Sequence, residues 1–176
     1  IPDYFYKWEK ETPDNIYLKQ PFNGQYKEYT WRESGLQVRK MVAYIRSLNL
    51  LPKSNIAIIS KNCAGWMLAD VAIMISGHIS IPLYPTLTAD QLSYVLNHAQ
   101  CQLAFIGKLD GWASMKPGIP VGLNCVSFPV YNPDADHVQW NDILAKFEPI
   151  TDSPSPKLED IMTIIYTSGT TGNPKG

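Results

Sequence analysis

The stretch Asn55–Tyr84, NIAIISKNCAGWMLADVAIMISGHISIPLY, decides the fold. Its opening, NIAIIS (55–60), is a short apolar run rich in β-branched residues, the pattern of a strand buried on both faces. CAGWMLADVAIMISG (63–77) is apolar nearly all round, which predicts a helix buried between layers. Gly77 closes it, because glycine readily takes the left-handed conformation that ends helices. ISIPLY (79–84) is then a second short strand. Strand, buried helix and strand in this order form a βαβ unit, whose two strands run parallel.

Outward from this unit the same alternation continues. Ahead of it, QYKEYTW (25–31) alternates aromatic and polar positions as a half-buried strand does, and Phe22-Asn23-Gly24 is a turn before it. A short N-terminal hairpin is expected. From Ser34 the period changes: Val38, Met41, Val42, Ile45 and Leu48 recur at spacings of three and four, predicting an amphipathic helix that Pro52 ends. Behind the unit, Thr88-Ala-Asp-Gln91 has the capping-box pattern and opens a helix with inner face Leu92, Val95, Leu96 and Ala99. CQLAFIG (101–107) is a third strand. LNCVSF (123–128) reads as another, and Trp140, Ile143, Leu144 and Phe147 mark one more short helix. PITDSPSPK (149–157) is a connector, after which IMTIIYTS (161–168) reads as a β-branched strand. The expected class is α/β: a mostly parallel sheet flanked by helices on both faces, joined by right-handed crossovers, with the hairpin at the N-terminal end.

Composition narrows the functional classes. With 176 residues, 45% hydrophobic and 18% charged, the chain can build one sizeable core, so one domain or one large subdomain is expected over 1–176. The formal net charge of −1 arises from 15 basic and 16 acidic residues dispersed along the chain, which leaves no electrostatic footprint for nucleic acid or an anionic membrane. Cys63, Cys101 and Cys125 form no CxxC pair, and any disulfide would leave one unpaired, so buried thiols in a reducing compartment are expected. The N-terminal IPDYFYKWEK has no apolar signal core, and WMLADVAIMI is interrupted by Asp70 and too short to span a bilayer. These features predict a cytoplasmic protein with no transmembrane segment and at most peripheral membrane contact; oligomerisation is left open.

The chemistry is concentrated in Tyr166–Gly176, YTSGTTGNPKG, which crowds four hydroxyl residues, three glycines and a lysine behind a predicted strand. Glycine permits positive φ and close backbone approach, so successive N–H groups can turn into an anion-binding concavity. Thr167, Ser168, Thr170 and Thr171 add hydroxyl donors around Gly169 and Gly172, and Lys175 adds a mobile positive charge. At the carboxyl end of a parallel strand, such a loop lies where open α/β sheets bind ligands. The common nucleotide loop GxxxxGK[ST] is not present, since Pro174 stands at its second glycine and Gly176 at its metal-binding hydroxyl.

On these residues the sequence resembles the adenylate-forming (AMP-binding) superfamily, which includes acyl-CoA synthetases, luciferases and nonribosomal-peptide adenylation domains. EYTWRESGLQVRKMVAYIRSLNL resembles the strand and first helix of that family, and SKNCAGWMLADVAIMISGHISIPLYPTLTADQLSYVLNHAQ its early region. The portion IPLYPTLTADQLSYVLNHA is most similar to long-chain fatty acid–CoA ligases. The resemblance covers about residues 15–106 and 158–176; residues 107–157 add little.

The resemblance implies a two-step ligase. A fatty acid carboxylate attacks the α-phosphorus of Mg-ATP, giving acyl-adenylate and pyrophosphate, and CoA thiolate then displaces AMP. It implies ATP, Mg2+ and CoA for the parent enzyme, with Thr167, Ser168, Gly169, Thr170, Thr171, Gly172 and Lys175 holding the β- and γ-phosphates. The family's adenine, ribose, metal and hinge segments are expected after position 176, so no catalytic or metal-binding residue is assigned here, and the piece alone is expected to be inactive. Two other readings stay open: another branch of the family that activates aryl or amino acids, and a non-catalytic interaction module.

Other candidates carry less. His78, His98 and His137 lack metal-ligand spacing, so a surface or structural role is expected for each. Asp70 is expected to be capped or partly exposed and receives no role. Trp8, Trp31, Trp66, Trp112 and Trp140, with Met41, Met67 and Met74, are expected in the core.

Overall fold

The computed structural model describes residues 1–129, 131, 134–167 and 174–176. The chain runs α1 (Pro2–Glu11), β1 (Ile16–Phe22), β2 (Gln25–Thr30), α2 (Trp31–Ser47), β3 (Asn55–Ile59), α3 (Ala64–Ile75), β4 (Ile79–Leu83) and α4 (Ala89–His98). It continues through β5 (Leu103–Ile106), α5 (Trp112–Met115), β6 (Asn124–Ser127), β7 (Val138–Gln139) and α6 (Trp140–Lys146). β1 and β2 form an antiparallel hairpin that turns at Asn23 and Gly24, with φ of 48° and 75°. The other five strands form one sheet in the order β4-β3-β5-β6-β7, and every neighbouring pair is parallel. The expected α/β class and the N-terminal hairpin are both present.

The period of two along each strand divides the core into two layers. Ile56 and Ile58 of β3, Leu103 and Phe105 of β5 and Val126 of β6 pack with Val38, Met41 and Ile45 of α2, with Leu68 and Ile73 of α3, and with Trp140. The alternate residues Ala57, Ile59, Ala104, Ile106 and Cys125 pack on the other face with Leu92, Val95 and Leu96 of α4. Each fully buried Ile or Leu contributes about 1.5–3 kcal/mol. Helices therefore cover both faces.

Capping sets the helix starts. At α2, Glu33 N donates to Thr30 Oγ1 at 3.1 Å and Thr30 N donates to Glu33 Oε2 at 2.9 Å, a complete capping box. Trp31, expected to end a strand, is instead the first helical residue, and its ring stacks on Tyr17 with centroids 3.9 Å apart. The Thr88–Gln91 box opens α4 as expected. α3 has no cap from its own flank; Ala64 N donates to Gln20 Oε1 of β1 at 2.8 Å, so the hairpin supplies the missing acceptor.

Further differences from the sequence expectations follow. α1 was not foreseen; Pro2 sits in its first turn and Phe5 anchors it in the core. Trp8 and Met67 are each 39% exposed instead of buried. Finally, 161–168 does not continue the sheet as a full strand. Ser80 N donates to Met162 O at 2.9 Å and Ile164 N donates to Ser80 O at 3.0 Å, making a single parallel bridge, Ser80↔Thr163. The next outward-facing donor of β4 would be residue 82, and Pro82 has no N–H. The ladder stops there.

Candidate functional site

The Gly/Thr loop leaves and returns to one point. Thr167 N donates to Lys175 O at 2.9 Å and Lys175 N donates to Thr167 O at 3.0 Å, an antiparallel bridge that brings two of the expected phosphate-binding residues face to face. Ser168, Gly169, Thr170, Thr171 and Gly172 lie outside the described residues. Lys175 is exposed.

Beneath the bridge lies Tyr166, 6% exposed. Its Oη shares a 2.7 Å hydrogen bond with His98 Nδ1 from α4, and the His98 ring stacks in turn on Tyr94. Burial pushes the Tyr166 phenol above its ordinary range, with Cys101 and Tyr94 adding to the effect. Gly176 sits against the ring: a Cβ there would stand 2.7 Å from Tyr166 Cε2, so only glycine fits without displacement. Tyr166 shares a buried cluster with Leu83 and Val95, with Leu87 packed against it, and these residues and Pro174 line a small cavity beside it. A residue-68 separation between His98 and Tyr166 left no local signal of this pairing in the sequence.

The segment entering the site is held by charged side chains of α2. Arg46 makes a two-point contact with the Asp152 carboxylate at 3.0 and 2.9 Å. Arg39 binds Glu9 at 3.0 and 2.8 Å and donates to Asp152 O at 2.9 Å. Tyr6 Oη donates to Pro154 O at 2.8 Å, and Lys53 pairs with Asp160. The Pro/Ser-rich connector is thus strapped to the helical layer, which directs 161–166 along the edge of β4. Burial raises the Tyr6 phenol to about 12 although the Arg39 guanidinium opposes it.

The sheet order places a reversal between β3 and β5, since the chain adds β4 on one side of β3 and β5 on the other. Ligands of open α/β sheets bind at the carboxyl ends of strands near such reversals. Here that crevice is stitched closed. Gly107 N donates to Ile59 O, Lys61 N to Lys108 O and Lys108 N to Ser60 Oγ, at 3.0, 2.8 and 2.8 Å. The open groove lies one strand over, at the ends of β3 and β4, lined by Ser60, Asn62, Trp66, Tyr84 and Ile165. It adjoins the lead-in to the loop.

The remaining polar candidates stay outside this site. His78 is buried, and its Nδ1 has no hydrogen-bond partner among the described residues; burial lowers its pKa. His137 Nδ1 shares a 3.0 Å hydrogen bond with Ser127 Oγ. Asp70 is half-buried, its Oδ1 has no partner among the described residues, and burial raises its pKa. Among the described residues no three His, Cys, Asp or Glu side chains gather as a metal site. The three cysteines are free and buried.

Comparison with known proteins bears on the family and the fold. Residues 5–176 match the family model for the AMP-binding enzyme. Fatty acyl-CoA synthetase A of Dictyostelium discoideum is 30% identical over 87% of this chain and 25% of its own length. Long chain acyl-CoA synthetase 1 of Arabidopsis thaliana is 29% identical over 99% of this chain and 29% of its own. The chain therefore spans a quarter to under a third of the length of these relatives. The crystal structure of the anthranilate CoA ligase AuaEII in complex with anthranoyl-AMP shares the fold, with a TM-score of 0.77 at 18% identity over 97% of this chain and 33% of that one. With the family model matching from Phe5 to the last residue of the loop, the chain belongs to the AMP-binding enzyme family.

Proposed function

We propose that residues 1–176 are the N-terminal portion of the AMP-binding domain of a long-chain fatty acid–CoA ligase, and that the loop over Thr167–Lys175 holds the β- and γ-phosphates of ATP. The observation that carries this reading is the Thr167–Lys175 bridge, which closes a Gly/Thr loop beside the carboxyl end of β4 and leaves a lysine at its base. The relatives named as fatty acyl-CoA and long chain acyl-CoA synthetases support the choice of substrate.

In this reading a fatty acid carboxylate oxygen attacks the α-phosphorus, the α–β phosphoanhydride bond breaks, and pyrophosphate departs with its electron pair. Lys175, Thr167, Ser168, Thr170 and Thr171 meet the charge that builds on the departing oxygens, with backbone N–H groups around Gly169 and Gly172 completing the cradle. Their role is electrostatic and positional. CoA sulfur then attacks the acyl carbonyl carbon and releases AMP. Mg2+ accompanies ATP in this chemistry, and no described residue is assigned to it.

Three buried free thiols support a reducing, cytoplasmic setting. No helix among the described residues is long and apolar enough to cross a membrane. Thioester formation by the intact protein, measured with ATP, CoA and fatty acids of graded length, tests the assignment. Turnover with long chains is expected; turnover only with aryl or amino acids would move the protein to another branch of the family, and none with any acid would favour a non-catalytic module.

A further inference from the structure

The three most exposed large hydrophobic side chains among the described residues are Val121 and Leu158, both fully exposed, and Leu51, 79% exposed. All three lie at one end of the sheet. Leu51 precedes β3, Val121 precedes β6, and Leu158 precedes the segment that bridges Ser80 in parallel, so each occupies a turn at the amino end of a parallel strand. The candidate site described above lies at the carboxyl end. Along this rim the turns follow the order Leu158, Leu51, Val121, and the outer two stand four strand spacings apart, about 19 Å. Grooves join neighbouring turns: Leu50 and Val121 line one, and Pro52, Lys53, Lys157 and Asp160 line the other.

Each tip is a closed turn. Ser54 N donates to Leu51 O, Leu123 N to Pro120 O and Asp160 N to Lys157 O, each at 3.1 Å. Two of the turns are further fixed by Pro52 and Pro120, with Lys53 and Gly122 at φ of 60° and 84°. The backbone therefore meets part of its own hydrogen-bond demand, which lowers the cost of taking these turns out of water. Charge on the rim is sparse and balanced. Residues 49–52 and 119–124 carry none, Lys53 is paired with Asp160 at 2.9 Å, and Lys157 and Glu159 flank Leu158. Separate aliphatic points on stiff turns suit a soft apolar phase better than the flat or concave surface of a folded partner, and balanced charge suits a neutral surface.

We propose that this end of the sheet docks on a zwitterionic lipid bilayer. Leu51, Val121 and Leu158 enter the boundary between headgroups and acyl chains, while Lys53 and Lys157 keep their ammonium groups at headgroup level. Docking goes beyond the proposed function and does not depend on it; where that function holds, the bilayer is also the phase in which a long-chain fatty acid dissolves.

Co-sedimentation of the intact protein with vesicles of pure phosphatidylcholine, without ATP, CoA or fatty acid, tests the docking. The wild type should bind and remain bound in high salt. Leu51→Ser, Val121→Ser and Leu158→Ser should each weaken binding about threefold, and the triple variant at least about tenfold. No binding by the wild type, binding that the triple variant retains, or binding that salt abolishes would overturn the proposal.

A label reads the same contact without the triple variant. The three native cysteines are buried, so Leu158→Cys directs an environment-sensitive fluorophore to the rim. Its emission should shift to the blue with vesicles, and the same label on Asp110→Cys, beyond the carboxyl end of β5, should not shift. An unshifted label at position 158 would overturn the docking. So would light scattering in which the triple variant turns a wild-type dimer into a monomer, because the rim would then be an interface between copies. Carboxylate activation by the intact protein decides the ligase reading separately.

Discussion

Thr167 and Lys175 face each other as an antiparallel pair, each donating its N–H to the other's carbonyl at 2.9 and 3.0 Å. The backbone of Lys175 is consumed in closing the loop, while its side chain is exposed and, among the described residues, makes no hydrogen bond or ion pair. In the intact protein, Lys175→Ala should therefore slow adenylate formation by at least about tenfold while thioester formation from supplied acyl-adenylate changes little. Half-reaction kinetics check this. Equal losses in both steps would remove Lys175 from the pyrophosphate side.

Phe105 lies at the centre of the sheet, fully buried between Phe128 and Trp140, with ring centroids 6.0 and 6.1 Å away. Phe105→Ala should cost about 3–5 kcal/mol, because the rings around it cannot all collapse into the space. Urea denaturation measures the loss.

Gly107 ends β5 where Phe128 and Ser60 already fill the volume: an added Cβ would stand 2.2 Å from Phe128 Cδ2 and 2.5 Å from Ser60 Oγ. Gly107→Ala should destabilise by about 1–3 kcal/mol through overpacking, and by disturbing the Ser60 hydroxyl that accepts from Lys108 N. Thermal denaturation checks the direction.

Pro82→Val should have the opposite sign. A restored N–H at position 82 can donate to Ile164 O, lengthening the bridge at Ser80 into a ladder, for a gain of about 0.5–1.5 kcal/mol. Hydrogen exchange in 79–84 and 161–166 should slow. Unchanged exchange would mean that something other than the missing donor stops the strand.

The Asp134 carboxyl is held down to about 2, first by the Lys116 ammonium at 2.7 Å and then by the Trp112 N–H at 3.1 Å. A carboxylate depressed in the folded state stabilises fully above its unfolded pKa of about 3.9. That contribution fades as pH falls from about 4 to about 2. Asp134→Asn should flatten this part of the acid-denaturation curve.

The β3–α3–β4 unit was legible because its strands carry apolar runs and its helix is apolar all round, signals that tertiary context reinforces. The capping box at Thr88 was equally readable. The start of α2 was not: Trp31 fits an alternating strand, and the Thr30–Glu33 capping box that turns it into a helix competes with that pattern within the same residues. The strand expected over 161–168 had the right composition, but strand formation needs a partner with donors in place, and Pro82 lies about 80 residues earlier in the chain. At the site, the loop was visible as a motif, with Thr167 and Lys175 at its two ends. His98, Arg39 and Arg46 reach it or its lead-in only through long-range contacts, which no local pattern encodes.

The most direct test of carboxylate activation is ATP–pyrophosphate exchange by the intact protein in the absence of CoA. Exchange that requires a long-chain fatty acid and falls at least about tenfold in Lys175→Ala is the predicted result. Exchange that proceeds without any fatty acid, or that is indifferent to Lys175, would contradict it.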